Sequence, residues 1–345
     1  MQTVPEGSTG SALMRRALFP SGDERAPVPV AKVCPILTAG RCRAVHDISG
    51  VPKFRVPWQN VGSAFPGGVM INVEKFIRPA TVAAAVSHLK TPDSLVLAGG
   101  TGVTLSRDPN VRTVIDLSEL KELKSIELSD ERIRLGAMVT MTQLRRASGL
   151  PSALVAAARA IGSTPLRNVI TVGGELARGV YWNDLPVALL AMGAVVELTS
   201  ESGVEKIPIA AFLAEHPKKT LAGGKLITAV EIGRPLAQVG YVKFARTEVD
   251  YAICNLAAGL RVADGVIREA RVAVGAIVPL ARRVPEAEQA LVGAAPGEEA
   301  FARAAKAVVE AVEPRPDFRV GREYQRQLLE SLTRRALETA TQSEQ

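Results

Sequence analysis

Cysteine is scarce: Cys34, Cys42 and Cys254 are the three in a chain of 345 residues. They form no CxxC pair, so no disulfide framework is expected, and an iron–sulfur cluster, which normally takes four thiolates, is excluded from this chain. The three histidines, His46, His88 and His216, have no metal-ligand spacing. Aromatic residues make up only 4%, so Ala, Val and Leu must fill the core, which a hydrophobic content of 47% allows. No apolar run approaches the roughly 18 residues of a membrane helix. No compact apolar segment follows a basic start, so no secretory leader is expected and the chain reads as cytoplasmic. Also missing is a basic stripe interleaved with aromatics. The net charge is +7, but Lys and Arg are spread among acids, which argues against nucleic acid. A solvated basic surface, or one facing an acidic partner, remains. Neither a Walker loop nor a GxGxxG fingerprint occurs, and no His/Asp/Ser constellation suggests a general base.

What is present divides into three stretches, and the length suits two ordinary domains. Residues 1–69 are rich in Pro, Gly, Arg and Ser and poor in apolar periodicity, which predicts a loosely ordered extension. Met70 opens a sharply patterned region and is a candidate start of translation. Over 70–236 helix and strand signals alternate. Thr81 caps a helix running through VAAAVSHLK, and Ser94–Ala98 is a short buried strand. Thr113–Leu117 and Arg132–Leu135 are further strands. Thr140 caps MTQLRRA, Pro151–Ile161 and Asn183–Met192 are helical, and AVVELTS is a strand. Over 237–342 the pattern becomes strands at Tyr241–Thr247, Cys254–Val262 and Ile267–Ile277, with an Asp264-Gly265 hairpin turn, then three helices. These begin at Pro285, Glu298 and Arg322. A sheet followed by helices predicts a separate α+β domain.

Four segments carry candidate chemistry. In Ala98-Gly99-Gly100-Thr101-Gly102-Val103 a strand ends in paired glycines. Such a turn allows close backbone approach and can present N–H groups to phosphate oxygens, or it is simply a tight turn. A second pair, Gly173-Gly174, follows a β-branched run in Thr171-Val172-Gly173-Gly174-Glu175 and reads as a second loop. Two such loops could hold the two ends of an extended dinucleotide, or be unrelated. Asp184 is either the N-cap of the next helix or an acceptor for a ligand hydroxyl. Lys243, on a strand, is either solvated or placed to stabilise an anionic reduced ring.

In order and spacing, LAGGTGVTL, VIDLSEL, IRLGAMVTMTQL, GSTPLRNVITVGGELA, DLPVALLAM and YVKFAR…DYA resemble the FAD-binding subunits of the molybdenum hydroxylases. That family includes the medium subunit of aerobic carbon monoxide dehydrogenase and the flavin part of xanthine dehydrogenase. The similarity covers about residues 70–340. It implies an α+β chain: an FAD-binding domain of the PCMH or vanillyl-alcohol-oxidase type, built of two α/β subdomains, and then a C-terminal domain of antiparallel sheet plus helices. It implies non-covalent FAD, in keeping with the absence of histidine from both glycine segments. By position, the backbones of Ala98–Val103 and Thr171–Glu175 would hold the pyrophosphate and neighbouring flavin groups. Ile161 would pack near the adenine, Asp184 would accept a hydrogen bond, and Ile227 and Lys243 would lie near the cofactor. The implied assembly is a heterotrimer. Molybdopterin sits on a large subunit and two 2Fe-2S clusters on a small one, and electrons leave through FAD to an acceptor such as NAD or a quinone. A stand-alone flavin oxidoreductase and a non-catalytic nucleotide-binding or assembly subunit are the alternatives. Two departures stand out: Gly102 replaces the family's usual acid, and Glu175 its usual asparagine. The segment Arg178-Gly179-Val180-Tyr181-Trp182 replaces a stretch of small residues; Tyr181 or Trp182 either covers the flavin or, as is favoured, packs or meets a partner.

Overall fold

The computed structural model describes residues 73–91, 93–103, 110–233 and 238–342. The extension over 1–69 and Met70 lie outside them. Three sheets organise the chain. The first is parallel and has three strands, β1 (Lys75–Ile77), β2 (Ser94–Leu97) and β3 (Thr113–Asp116), with β3 in the middle. Helix α1 (Val82–His88) connects β1 to β2. The Thr81 hydroxyl starts it by accepting the Ala84 N–H. Ala85 and Val86 of α1 pack with Ile115, Leu117, Leu120 and Leu123 in a small core of their own.

The second sheet is antiparallel, in the order β4 (Ile126–Leu128), β5 (Arg132–Gly136), β8 (Leu226–Gly233), β6 (Val195–Ser200), β7 (Gly203–Pro208). Between β5 and β6 the chain leaves the sheet for five helices, α2 (Met141–Arg146), α3 (Ser152–Ala160), α4 (Thr164–Val169), α5 (Val172–Ala177) and α6 (Leu185–Met192). Thr140 and Gln143 form a reciprocal capping box at the start of α2. All eight residues of α6 are buried, as a helix apolar on every side must be. It ends at Gly193, which takes the left-handed conformation. Two short helices, α7 (Ile209–Phe212) and α8 (Pro217–Leu221), precede β8.

The third sheet runs β12 (Arg282–Arg283), β11 (Val266–Gly275), β10 (Cys254–Ala263), β9 (Gln238–Phe244), all antiparallel. Asp264 and Gly265, both with positive φ, make the turn between β10 and β11. Successive side chains on a strand point to opposite faces, and here both faces are covered. Val239, Tyr241, Ala257 and Ala273 join the core built on α3 and α6. Val242, Leu256, Ala258 and Val272 meet α9 (Pro285–Leu291), α10 (Glu298–Ala311) and α11 (Arg322–Gln342) instead. Gly240 lets α11 lie directly on β9, because a Cβ there would collide with the Ala336 carbonyl.

The expected strands and helices are found, with the strand expected over Tyr241–Thr247 shifted to Gln238–Phe244 and one further correction. The second glycine pair, expected as a loop, is helical. Val169 ends α4, Ile170 is extended, and Gly173-Gly174 form the first turn of α5 behind the Thr171 cap. The β-branched run before it is a helix end and a cap, held by tertiary contacts that a short sequence window does not register.

Candidate functional site

The first glycine segment follows β2, and the parallel sheet points its carboxyl end at α4 and α5. A Cβ on Gly99 would land on the Val169 carbonyl, so the segment runs against the end of α4 with no room for a side chain. Three residues further, a Cβ on Gly102 would sit 2.6 Å from the Arg178 side chain, at the end of α5. The first glycine segment, some seventy residues before the second, therefore lies against the two residues that flank the latter, Val169 and Arg178. Gly100 has φ +77°, a conformation side chains disfavour.

The two segments offer different things to a ligand. No backbone carbonyl among the described residues takes the N–H of Gly99, Gly100, Gly102 or Val103. In the second segment the donors are engaged. Val172 N–H bonds Val139 O at 2.9 Å, Gly173 N–H bonds Ala137 O at 2.8 Å, and Glu175 N–H bonds Thr171 O at 3.0 Å. The Gly174 N–H bonds the Thr171 hydroxyl at 3.1 Å. The glycines of α5 thus serve packing. Gly173 lies so close to β5 that a Cβ would come within 2.9 Å of the Ala137 Cβ.

Behind α5 lies a buried polar cluster, and strand alternation explains its membership. Tyr241 and Lys243 share the face of β9 that looks toward α3 and α6, and Asn255 of β10 pairs directly with Lys243. All three converge on Asp184. The Tyr241 hydroxyl donates to it at 2.6 Å, the Asn255 amide at 2.9 Å and the Lys243 ammonium at 3.1 Å. Lys243 also donates to Ala160 O at the end of α3, at 2.7 Å. Asp184 makes no side-chain cap bond to α6. The cap role open to it in the sequence is replaced by this cluster. Lys243 is likewise an inner ion-pair partner, with 11% of its side chain exposed. Burial, then the Asp184 charge, holds the Tyr241 phenol well above its ordinary pKa of 10, so it stays a donor.

Glu175 sits beside this cluster. Burial, then the nearby Asp184, pushes its carboxyl from an ordinary 4.5 up to about 8, against opposing pulls from Arg178, Lys243 and the Leu185 N–H. The acid is therefore neutral near pH 7. Its Oε2 is buried without a hydrogen-bond partner.

The remaining expected residues divide differently. Ile161 and Ile227 are 7% and 4% exposed and belong to the main core. Tyr181 and Trp182 pack edge to face at 4.5 Å, Trp182 leans on Tyr251 at 4.8 Å, and Arg315 covers Tyr181. Sequence reasoning passed over Arg178, Tyr241, Asn183 and Asn255. A polar Asn255 inside the apolar strand CNLAAGL was the available signal. Asn183 donates to the Glu175 carbonyl at 2.6 Å, which fixes the turn between α5 and α6. Among the described residues no group of three or more His, Cys, Asp or Glu side chains is gathered for a metal, and no helix is long and apolar enough to cross a membrane.

A parallel sheet that ends in a glycine loop, a layer of helices and an antiparallel C-terminal sheet make up the architecture, and the comparisons identify it as that of an FAD-binding subunit. The family described as the FAD binding domain in molybdopterin dehydrogenase matches residues 71–235, and the CO dehydrogenase flavoprotein C-terminal domain matches residues 240–340. The chain belongs to the FAD-binding subunits of the molybdenum hydroxylases. It is 32% identical to the nicotine 6-hydroxylase medium subunit of Paenarthrobacter nicotinovorans, over 76% of this chain and 95% of that one. It is 30% identical to the xanthine dehydrogenase FAD-binding subunit of Escherichia coli O157:H7, over 79% and 97%. Among solved structures, a chain of carbon monoxide dehydrogenase from Hydrogenophaga pseudoflava superposes with a TM-score of 0.74 at 27% identity, covering 79% of this chain and 99% of that one.

Proposed function

We propose that the chain holds one FAD non-covalently at the junction of its two glycine segments. Electrons would pass through that FAD from a partner's 2Fe-2S clusters to an acceptor such as NAD or a quinone. The observation that carries this is the meeting of Gly99 with Val169 at the end of α4 and of Gly102 with Arg178 at the end of α5, which sets the N–H groups of Gly99, Gly100, Gly102 and Val103 beside both helices. The residues fit the cofactor: the N–H groups of Gly99, Gly100, Gly102 and Val103 take no backbone carbonyl among the described residues and suit a diphosphate. When bound, FAD supplies the redox chemistry, exchanging electrons singly or in pairs. The chain's task is to place it. The Ala98–Val103 backbone takes the anionic part, Arg178 adds a cation at Gly102, and Asp184 holds Tyr241, Lys243 and Asn255 rigid beneath α5. Ile161 and Ile227 back the site through the core.

The proposed division is an FAD-binding domain over 70–236 and a C-terminal domain over 237–342. Proposed partners are a large molybdopterin subunit and a small 2Fe-2S subunit, in a cytoplasmic heterotrimer whose large subunit sets the substrate. The chemistry at substrate then occurs elsewhere, consistent with the lack of a general-base constellation in this sequence. The test is spectroscopic. The purified full chain should show the visible bands of oxidised flavin after incubation with FAD, and acid precipitation should release all of it. A colourless protein would reject the reading, and flavin left on the denatured chain would reject non-covalent binding.

A further inference from the structure

Arg178 closes α5, and its backbone is fixed on both sides. Its own N–H returns to the Gly174 carbonyl at 3.3 Å. The next residue, Gly179, has φ +56° and lies so near the start of α8 that a Cβ would come within 2.6 Å of the Pro217 ring. From this anchored turn the side chain runs onto the first glycine segment. A Cβ on Gly102 would meet the Arg178 Cδ at 2.6 Å, its Nε at 2.7 Å and its Cγ at 3.3 Å. The stem of Arg178 therefore fills the space that any side chain at position 102 would need. The guanidinium makes no hydrogen bond and no ion pair with another side chain among the described residues. It lies against a segment where the N–H groups of Gly99, Gly100, Gly102 and Val103 take no backbone carbonyl. An unpaired cation and a set of N–H dipoles on one spot are all electropositive, an arrangement that an anion stabilises. The same two positions hold two of the sequence's departures from the resembling family: an acid is lost at Gly102, and a cation is gained at Arg178 among residues that are otherwise small. Far apart in the chain, they touch in the fold.

We infer that Arg178 and Gly102 act as one unit that selects a diphosphate: the missing side chain at Gly102 lets the Arg178 guanidinium lie over the first glycine segment and bind the anionic bridge of the dinucleotide. An arginine suits the task, because its planar fork can hold a pair of phosphate oxygens while its stem packs on the loop. The unit favours FAD, which carries the diphosphate, over riboflavin, which lacks it. It also makes position 102 a control point. Any side chain there displaces the arginine stem and so weakens the grip on the anion without itself touching the ligand.

This inference rests on the proposed FAD site, and its test separates the two. Affinities of the full chain, freed of flavin, for FAD, ADP and riboflavin are measured by calorimetry. The proteins are wild type, Arg178→Gln, Arg178→Lys, Gly102→Ala and the double variant Gly102→Ala with Arg178→Gln. Binding of FAD by wild type supports the site itself; none overturns both readings. The inference expects Arg178→Gln to weaken FAD and ADP alike, by roughly tenfold or more, and to leave riboflavin unchanged. Arg178→Lys, which keeps the charge without the fork, should fall between the two. Gly102→Ala should weaken FAD and ADP when Arg178 is present and cost nothing further once it is Gln. Added salt should erode the affinity of wild type more steeply than that of Arg178→Gln. A salt series on wild type alone, with ADP as ligand, keeps the inference open to refutation even where a variant does not fold, since a flat series would overturn it. With FAD bound by wild type, equal ADP affinities in wild type and Arg178→Gln, an equal loss for riboflavin, or losses at positions 102 and 178 that add would also overturn the inference and leave the FAD site standing.

Discussion

Two glycines three positions apart show how differently one residue type can be constrained. At Gly99 the obstacle is the Val169 carbonyl, a backbone group fixed by α4, whereas at Gly102 it is the Arg178 side chain, whose far end can swing away. Gly99→Ala should therefore cost about 3 kcal/mol or more, and Gly102→Ala less than about 1 kcal/mol. Urea unfolding of both variants, with flavin content measured alongside, distinguishes a constrained site from a loose turn; equal losses would contradict this geometry. Glu175 adds a pH dependence to the unliganded protein. Between about pH 4.5 and about pH 8 the folded chain retains a proton that the unfolded chain has released. Stability must then fall as pH rises through that window and level off above it. Thermal melts across this range should show a shallower decline for Glu175→Gln than for wild type, and parallel curves would remove Glu175 as the source.

Among the polar contacts between elements, the buried ion pair between Asp184 at the start of α6 and Lys243 of β9 is the most consequential. Lys243 and Asp184 are both nearly buried, so removing one partner leaves the other uncompensated. Lys243→Met should destabilise the fold by about 3–5 kcal/mol. The double variant Lys243→Met with Asp184→Asn should recover part of that, since Tyr241 and Asn255 can still donate to the amide oxygen. A double-mutant cycle in urea measures the coupling, and strict additivity would show that the pair acts independently. This pairing also changes how Lys243 bears on a flavin. Its charge is offset by Asp184 3.1 Å away, so its value near a reduced ring is much smaller than that of a lone ammonium. Helices α4 and α5 belong to the same scale. They are only six residues each and hold their shape through Thr171, Gly173 and the Ala137 carbonyl.

Across the whole molecule, the recognisable families begin at residue 71 and end at 340. The first 69 residues lie outside both. A chain starting at Met70 should therefore fold and bind FAD in the same proportion as the full chain, as read by the ratio of flavin to protein absorbance. A soluble truncated protein with markedly less flavin would assign the extension a part in the site. The third sheet is covered on both faces, by α3 and α6 on one side and by α9, α10 and α11 on the other. Its β9 strand consequently carries residues for two cores, and any loosening of α11 on Gly240 would be felt at Lys243.

Local pattern determined a large part of this protein. Apolar periodicity, the Thr81 and Thr140 caps, the Asp264-Gly265 turn and the all-apolar α6 each depend on residues within a few positions of one another. Six ordered motifs likewise sufficed to indicate the family. Other features depended on residues far apart in the chain, which no window contains. The conversion of the second glycine pair into a helix start needed β5 to receive Gly173. The diversion of Asp184 from cap to cluster needed Tyr241, Lys243 and Asn255 from two later strands. The neutrality of Glu175 needed burial beside that cluster, because exclusion of water and the nearby Asp184 charge each disfavour the carboxylate.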